Sequence, residues 1–309
     1  MESSSAPLAG QLQVVLARRV SRNQIGGKGL SYHEFVHVTI ERMHNWHWQT
    51  WEERPYLTCS LLDPWPHGFF TQQFASQNLV DLVKVLRPKT PVYRTKQVHG
   101  KVVAATSDLF PLPPSSLALA EPKLQPADGI ITDGVDRSVW VCSADCTPVL
   151  MGDARTGQVA AVHSGWRGTA AGIVAEAIAR FQEQGSQLAD LRVAMGPAIS
   201  GDVYQVSLEV AENVVATVVD EGILDGTPLT EQLDRLPDGV VKSDPDPDRI
   251  RLDIRRAIAV QLDRLGLRPE QVAIAPHCTY QMPEYFFSYR RTAEKNVQWS
   301  GIASTTVSA

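Results

Sequence analysis

The chain has 309 residues, of which 43% are hydrophobic and 20% charged, and a net charge of −5 at pH 7. A chain of that length buries a self-sufficient core without disulfides, and its acidic balance leaves no basic footprint for nucleic acid. Neither a run of about 18 apolar residues nor the charged start and unbroken apolar stretch of a secretory signal is found, so no membrane partner is expected and the location is read as cytoplasmic.

Residues 1 to about 50 read as an extension to a main domain over 51–309. The extension mixes a polar start, a Gly26 to Gly29 turn and the piece MHNWHWQTWEERPY, which is expected to pack aromatic area on the main body rather than to hold metal. YLTCSLL is strand-like, Pro64 and Pro66 turn the chain into HGFFTQQF, and QNLVDLVKVLR has the 3.6-residue apolar spacing of a helix. PVYRTKQVHGKVVAAT predicts two strand segments around the His99-Gly100 bend, and the proline-rich residues 108–126 a surface loop.

GIITD, SVWVCSA, PVLMGD and QVAAVHSG predict four buried strands in succession. TAAGIVAEAIARFQEQG predicts one helix stopped at Gly185, LRVAMGP a strand, and SLEVAENVVATVVDEG a second helix. After an Asp/Pro-rich excursion over 222–250, LDIRRAIAVQLDRLGL predicts a third helix closed at Gly266, and QVAIAPHCTY the last strand. No repeat with a period of 20 to 50 residues is present. The fold class is α+β: mixed sheets with helices outside, in a single main domain.

Three segments share one design, a ligand-capable side chain at the end of an apolar run: Gln97-Val98-His99-Gly100, Ala144-Asp145-Cys146 and Val162-His163-Ser164-Gly165. Such ends meet at the rim of a sheet, where sites assemble. Two imidazoles and a thiolate suit a zinc ion, and three protein ligands leave a fourth position open. The same residues also allow a Cys146 nucleophile with His163 or His99 as base and Asp128 or Asp145 orienting the imidazole. Cysteines in a reducing compartment otherwise default to buried thiols. Cys142, four residues from Cys146, would lie about 13 Å away on an extended strand and is read as core.

Ser164 to Thr169 leads into a helix start, where free N–H groups and Arg167 offer a seat for phosphate or carboxylate. Tyr289, Arg290 and Arg291 form a second cationic cluster near the C-terminus. Asp128 and Asp133 are turn residues by type, and Asp128 could also orient a ligating histidine.

Seven stretches, HGFFT, QVHG, ADGIITD, SADCTPVL, AAVHSGWRGTAAGIV, MGPAISGDVYQV and HCTYQMPEYFFSYRR, follow one another over roughly residues 56–300. In this order they resemble the laccase-domain proteins, first labelled polyphenol oxidases and now regarded as purine nucleoside phosphorylases with adenosine deaminase activity. The resemblance implies a layered α/β/β/α sandwich and zinc bound by His99, Cys146 and His163. It also implies phosphate-dependent cleavage of adenosine, inosine, guanosine or methylthioadenosine, and deamination of adenosine.

The chain departs from the family after HGF, where Phe70-Thr71-Gln72-Gln73-Phe74 lacks the usual Arg and Gly-Gly turn. The phosphate grip is therefore expected from Arg167 or Arg290. Expected partners are purine nucleosides and phosphate, with the chain a monomer or small homo-oligomer. Cys146 and Asp128 are the candidate catalytic residues. Two alternative activities are a Cys146-dependent hydrolase or amidase on cell-wall precursors and a copper-dependent polyphenol oxidase, the latter poorly supplied with paired histidines.

Overall fold

The computed structural model describes residues 44–113, 123–220 and 222–306. The predicted turn at Gly26 to Gly29 and the middle of the proline-rich loop lie outside them. In chain order the first strands are β1 (Trp46–Trp51), β2 (Arg54–Cys59), β3 (His67–Phe70), β4 (Val92–Tyr93) and β5 (Val103–Ala105). Then come β6 (Gly129–Ile131), β7 (Ser138–Ser143), β8 (Thr147–Asp153), β9 (Val159–Ser164) and β10 (Leu191–Met195). The last are β11 (Gln205–Ser207), β12 (Val241–Ser243), β13 (Arg249–Leu252), β14 (Val272–Ile274) and β15 (Gln298–Ala303).

One six-stranded sheet runs β1-β2-β3-β15-β7-β4 and a second β14-β10-β8-β9-β6-β5, with a small β11-β13-β12 sheet beside them. Both large sheets are mixed: β4 and β7 are parallel in the first, β10 with β14 and β5 with β6 in the second.

Alternation along the strands builds three apolar layers, because successive side chains leave opposite faces. Val139 and Val141 of β7 join Leu150 of β8 and Ala161 of β9 in the cluster between the sheets. Their neighbour Trp140 faces outward and packs with Phe70, Phe74 and helix α1 (Leu79–Leu86), while Val149, Met151, Ala160 and Val162 face the helices on the far side. The order is helix, sheet, sheet, helix, the α/β/β/α sandwich expected from the family resemblance.

Two of the predicted helices differ in extent. The segment after β9 is not one helix but α2 (Trp166–Ala170) and α3 (Ile173–Glu183), divided at Gly172, whose φ of +77° is left-handed. On α3, Ile173, Ala177, Ile178 and Phe181 are buried in the stripe that the 3.6 period requires. Helix α4 (Leu208–Val215) stops well short of the predicted Gly222, and α5 (Ile254–Arg264) begins where Asp253 accepts from the amides of Arg255 and Arg256. Such a cap contributes about 1 kcal/mol. The last helix, α6 (Tyr289–Thr292), is a single turn.

The strand QVAIAPHCTY is not the last. β15 inserts between β3 and β7 at the centre of the first sheet. Its Gly301 interrupts the apolar pattern because the Trp140 ring fills the place of a side chain: an added Cβ would stand 2.4 Å from that ring. At the edge of the first sheet β1 pairs with β2, and its Trp48 ring packs 4.5 Å from Tyr285.

Candidate metal centre

Register brings the predicted strand ends together. Pro148 of β8 pairs with His163 of β9, so His163 shares the inter-sheet face with Ala161, and Cys146 continues the face of Pro148 and Leu150 one residue before β8. The His99 bend between β4 and β5 closes the third side. One ligand atom from each of His99, Cys146 and His163 lies within 4.8 Å of the others, the one such His/Cys/Asp/Glu group among the described residues. A tetrahedral zinc with bonds of ~2.0–2.3 Å sets its ligands about 3.5 Å apart, so small rotamer shifts would bring these atoms into range.

Asp128, fully buried at the start of β6, organises the group. One carboxylate oxygen accepts from His163 Nδ1 at 2.9 Å, which leaves Nε2 of that ring free to act as a ligand. The same carboxylate accepts from the backbone N–H groups of Val98, His99 and Gly100 at 3.0, 2.9 and 2.8 Å. The backbone carbonyl of Asp128 also accepts from the His163 amide at 2.7 Å. Burial pushes the pKa of this carboxyl up, but the bonds from His163 and the three amides outweigh it and hold the pKa below the usual carboxylate range.

The two donors beside it shift in opposite senses. Burial pushes the Cys146 thiol up, yet hydrogen bonds and charge from His163 and His99 bring it below an ordinary thiol. Burial lowers His163, but its bonds to Asp128 and Cys146 raise it overall. The pair therefore favours thiolate beside imidazolium, and a cation between them would take the place of the proton. Two imidazoles and a thiolate form a borderline-soft donor set that fits zinc.

Three further details shape the site. Gly165 stands so close that a Cβ there would lie 2.7 Å from Cys146 Sγ and 3.3 Å from His99 Cδ2. Gln97 clamps the bend to β7, its amide donating to Cys142 O at 2.7 Å and accepting from Cys142 N at 2.8 Å. His99 itself has a φ of +60°, so the loop that carries it is held by Gln97 and Asp128 rather than by regular structure.

Cys142 is half-buried at the end of β7 and outside the ligand group, its thiol pushed up to about 11 by burial. Asp145 does not orient either imidazole: its carboxylate accepts from Thr279 and the Arg290 amide. Asp133 accepts from Thr106 and pairs with Arg137 away from the ligands.

At the expected anion seat the structure places Arg167 on α2, a helix of only five residues. Its guanidinium lies over the Trp166 ring at 4.3 Å and makes no hydrogen bond or ion pair among the described residues. Arg290 stacks over the Tyr204 ring at 5.0 Å and donates to Gln205 O at 2.8 Å. Arg291 is committed to carbonyls, those of Thr279, Tyr280 and Phe286. At the departure after HGF, Gln72 donates its side-chain amide to Pro283 O and its backbone N–H to Tyr285 O.

Tyr204 was not singled out from the sequence. Burial pushes its phenol up to about 12, with Cys146 and Asp145 adding to the shift and Arg290 and Arg167 opposing it. The phenol therefore stands among the site's charged groups. Its one sequence signal is its place within MGPAISGDVYQV.

The sequence profile of the family described as multi-copper polyphenol oxidoreductase laccase matches residues 72–304. A relative from Synechocystis sp., named purine nucleoside phosphorylase slr1573, is 49% identical over 84% of this chain and 97% of its own. A purine nucleoside phosphorylase from Haemophilus influenzae is 31% identical over 77% of this chain and 83% of its own. The crystal structure of YlmD from Geobacillus stearothermophilus shares the fold with a TM-score of 0.68 at 22% identity, covering 84% of this chain and 98% of that one. No helix among the described residues is long and apolar enough to cross a membrane. On the extent of the profile match and the identity to these relatives, the chain belongs to the laccase-like polyphenol oxidoreductase family.

Proposed function

We propose that the chain is a zinc-dependent purine nucleoside phosphorylase, acting on adenosine, inosine, guanosine and methylthioadenosine, with a second activity as an adenosine deaminase. The observation that carries this reading is the convergence of His99, Cys146 and His163 in front of Asp128, with an unpaired Arg167 guanidinium at the same segment. The names of the relatives supply the substrate class. The reading carries with it a main domain over 51–309, an extension before it and a cytoplasmic location.

In phosphorolysis an oxygen of phosphate forms a bond to the ribose C1′ as the N-glycosidic bond breaks, and the purine leaves with the electron pair and takes up a proton. Arg167 and Arg290 hold the phosphate, since guanidinium forks match its oxygens, and donors placed where charge builds on the purine lower the barrier. Asp128 keeps His163 in the tautomer that turns Nε2 toward the site. A zinc ion held by the three ligands supplies Lewis-acid polarisation and acidified water, the chemistry that hydrolytic deamination requires. One donor group among the described residues does not furnish the several copper sites of a multi-copper oxidase.

Metal analysis of the purified chain, combined with assays of inosine and adenosine with and without phosphate, tests the reading. The expected products are hypoxanthine and ribose-1-phosphate from inosine plus phosphate, and inosine from adenosine. Absence of all three sinks it. His163→Ala removes both activities together while the fold survives.

A second reading rests on the same residues, because Cys146, His163 and Asp128 also stand as nucleophile, base and orienting carboxylate. Such a hydrolase survives chelators and is lost to thiol alkylation; the phosphorylase shows the reverse dependence on metal. Stoichiometric copper with oxygen uptake would instead favour the phenol oxidase.

A further inference from the structure

Asp145 immediately precedes Cys146 and has a φ of +93°, a conformation that a β-carbon disfavours. Strain of this kind persists where the surroundings over-determine it, and here three segments do. The Ile199 amide donates to Asp145 O at 3.0 Å. The hydroxyl of fully buried Thr279 donates to Oδ1 at 2.7 Å. The Arg290 amide, in the first turn of α6, donates to Oδ2 at 2.7 Å. Beyond that amide, the Arg290 side chain is fixed by the Tyr204 ring and by Gln205 O.

We propose that Asp145 is a positioning residue that sets the Arg290 guanidinium against the Cys146 corner of the site, so that phosphate bound by Arg290 meets a nucleoside beside the metal ligands. The inference rests on the reading of Arg290 as part of the phosphate seat. A residue needed only for the turn would be glycine, which takes a positive φ without strain. Two oxygens on one short side chain do something glycine cannot: each accepts from a different segment, so the Cys146 turn, the Thr279 turn and α6 move as one body. Asparagine preserves this arrangement, because its oxygen accepts from the Arg290 amide while its N–H group donates to the Thr279 hydroxyl.

The test uses the full zinc-loaded chain and its Asp145→Gly and Asp145→Asn variants. Inorganic phosphate affinity is read by calorimetry, kcat and KM by inosine phosphorolysis, zinc by metal analysis, and exchange of the amides at 289–292 by mass spectrometry. For Asp145→Gly the expected result is phosphate binding weaker by roughly tenfold, about the loss of one charge-assisted contact, with kcat changed by less than about threefold. Zinc content stays at the parent value and exchange at 289–292 accelerates. Asp145→Asn stays within about threefold of the parent throughout. Parent-like phosphate affinity in Asp145→Gly overturns the proposal, and so does an Asp145→Asn variant as impaired as Asp145→Gly. A parent chain that binds phosphate yet leaves inosine intact sinks the phosphorylase reading, while the affinity and exchange comparison still decides the role of Asp145.

Discussion

Asp128 and His163 are joined twice, carboxylate to Nδ1 at 2.9 Å and carbonyl to backbone amide at 2.7 Å, so the same residue sets both the position and the tautomer of the imidazole. The side-chain bond is the more informative of the two. A carboxylate can only accept, which obliges Nδ1 to carry a hydrogen and turns Nε2 toward Cys146 and His99.

Asp128→Asn keeps the shape and removes that obligation. An amide N–H turned toward Nδ1 would reverse the tautomer, and the three loop amides would compete for one remaining oxygen. Zinc affinity is expected to fall by about 10 to 100-fold, read by competition with a chromophoric chelator. Unchanged affinity would mean that the carboxylate does not govern the ligand.

Gly165→Ala tests the steric side of the site. The added methyl would meet Cys146 Sγ at 2.7 Å and His99 Cδ2 at 3.3 Å, spreading two of the three donors. Metal content should drop well below one ion per chain, with a loss of stability of only about 1–3 kcal/mol because the strain is local. A fully loaded, active variant would count against His99 and Cys146 as ligands to one ion.

Arg167→Ala removes a guanidinium that no other described residue engages by hydrogen bond or ion pair, so folding should hardly change. The KM for phosphate is expected to rise roughly tenfold or more, with Arg167→Lys recovering charge but not the fork and falling between the two. Steady-state kinetics at varied phosphate reads this directly, and a parent KM in the alanine variant would place the phosphate elsewhere.

Stability should also fall in mild acid through a histidine outside the site. His67 is buried, with Nδ1 donating to Trp65 O at 2.9 Å and Nε2 accepting from the Cys59 amide at 2.8 Å. Burial lowers it from its ordinary 6.5, with the backbone bonds only partly opposing. The folded state therefore prefers the neutral ring: its contribution is complete above about 6.5 and is lost as the pH falls below that toward the depressed folded value. Urea midpoints between pH 7.5 and 5 should decline, and less steeply in His67→Gln. Equal slopes in both chains would assign the acid sensitivity to other groups.

The short apolar runs SVWVCS and QVAAVHS, in a series punctuated by Gly or Asp, were enough to predict buried strands, and the residue types at their ends were enough to suggest a metal. These are local properties, written in the length and punctuation of apolar runs and in side-chain chemistry. Where the hydrogen bonds of Asp128 and Asp145 go is not local. Either could have oriented an imidazole, and the choice was made by which strand each one faces once β6 lies beside β9 and α6 docks on the Cys146 turn. β15 escaped notice for a related reason: Gly301 spoils its apolar pattern, and only the Trp140 ring from the adjacent strand fills the gap. The break at Gly172 likewise left a short α2 that carries Arg167 and a separate α3 where one helix was predicted. Sequence by itself determined the buried runs of β6 to β9 and the ligand-capable residue types at their ends, while the tertiary structure decided which donor meets which, because a hydrogen bond depends on distances between segments that no local period records.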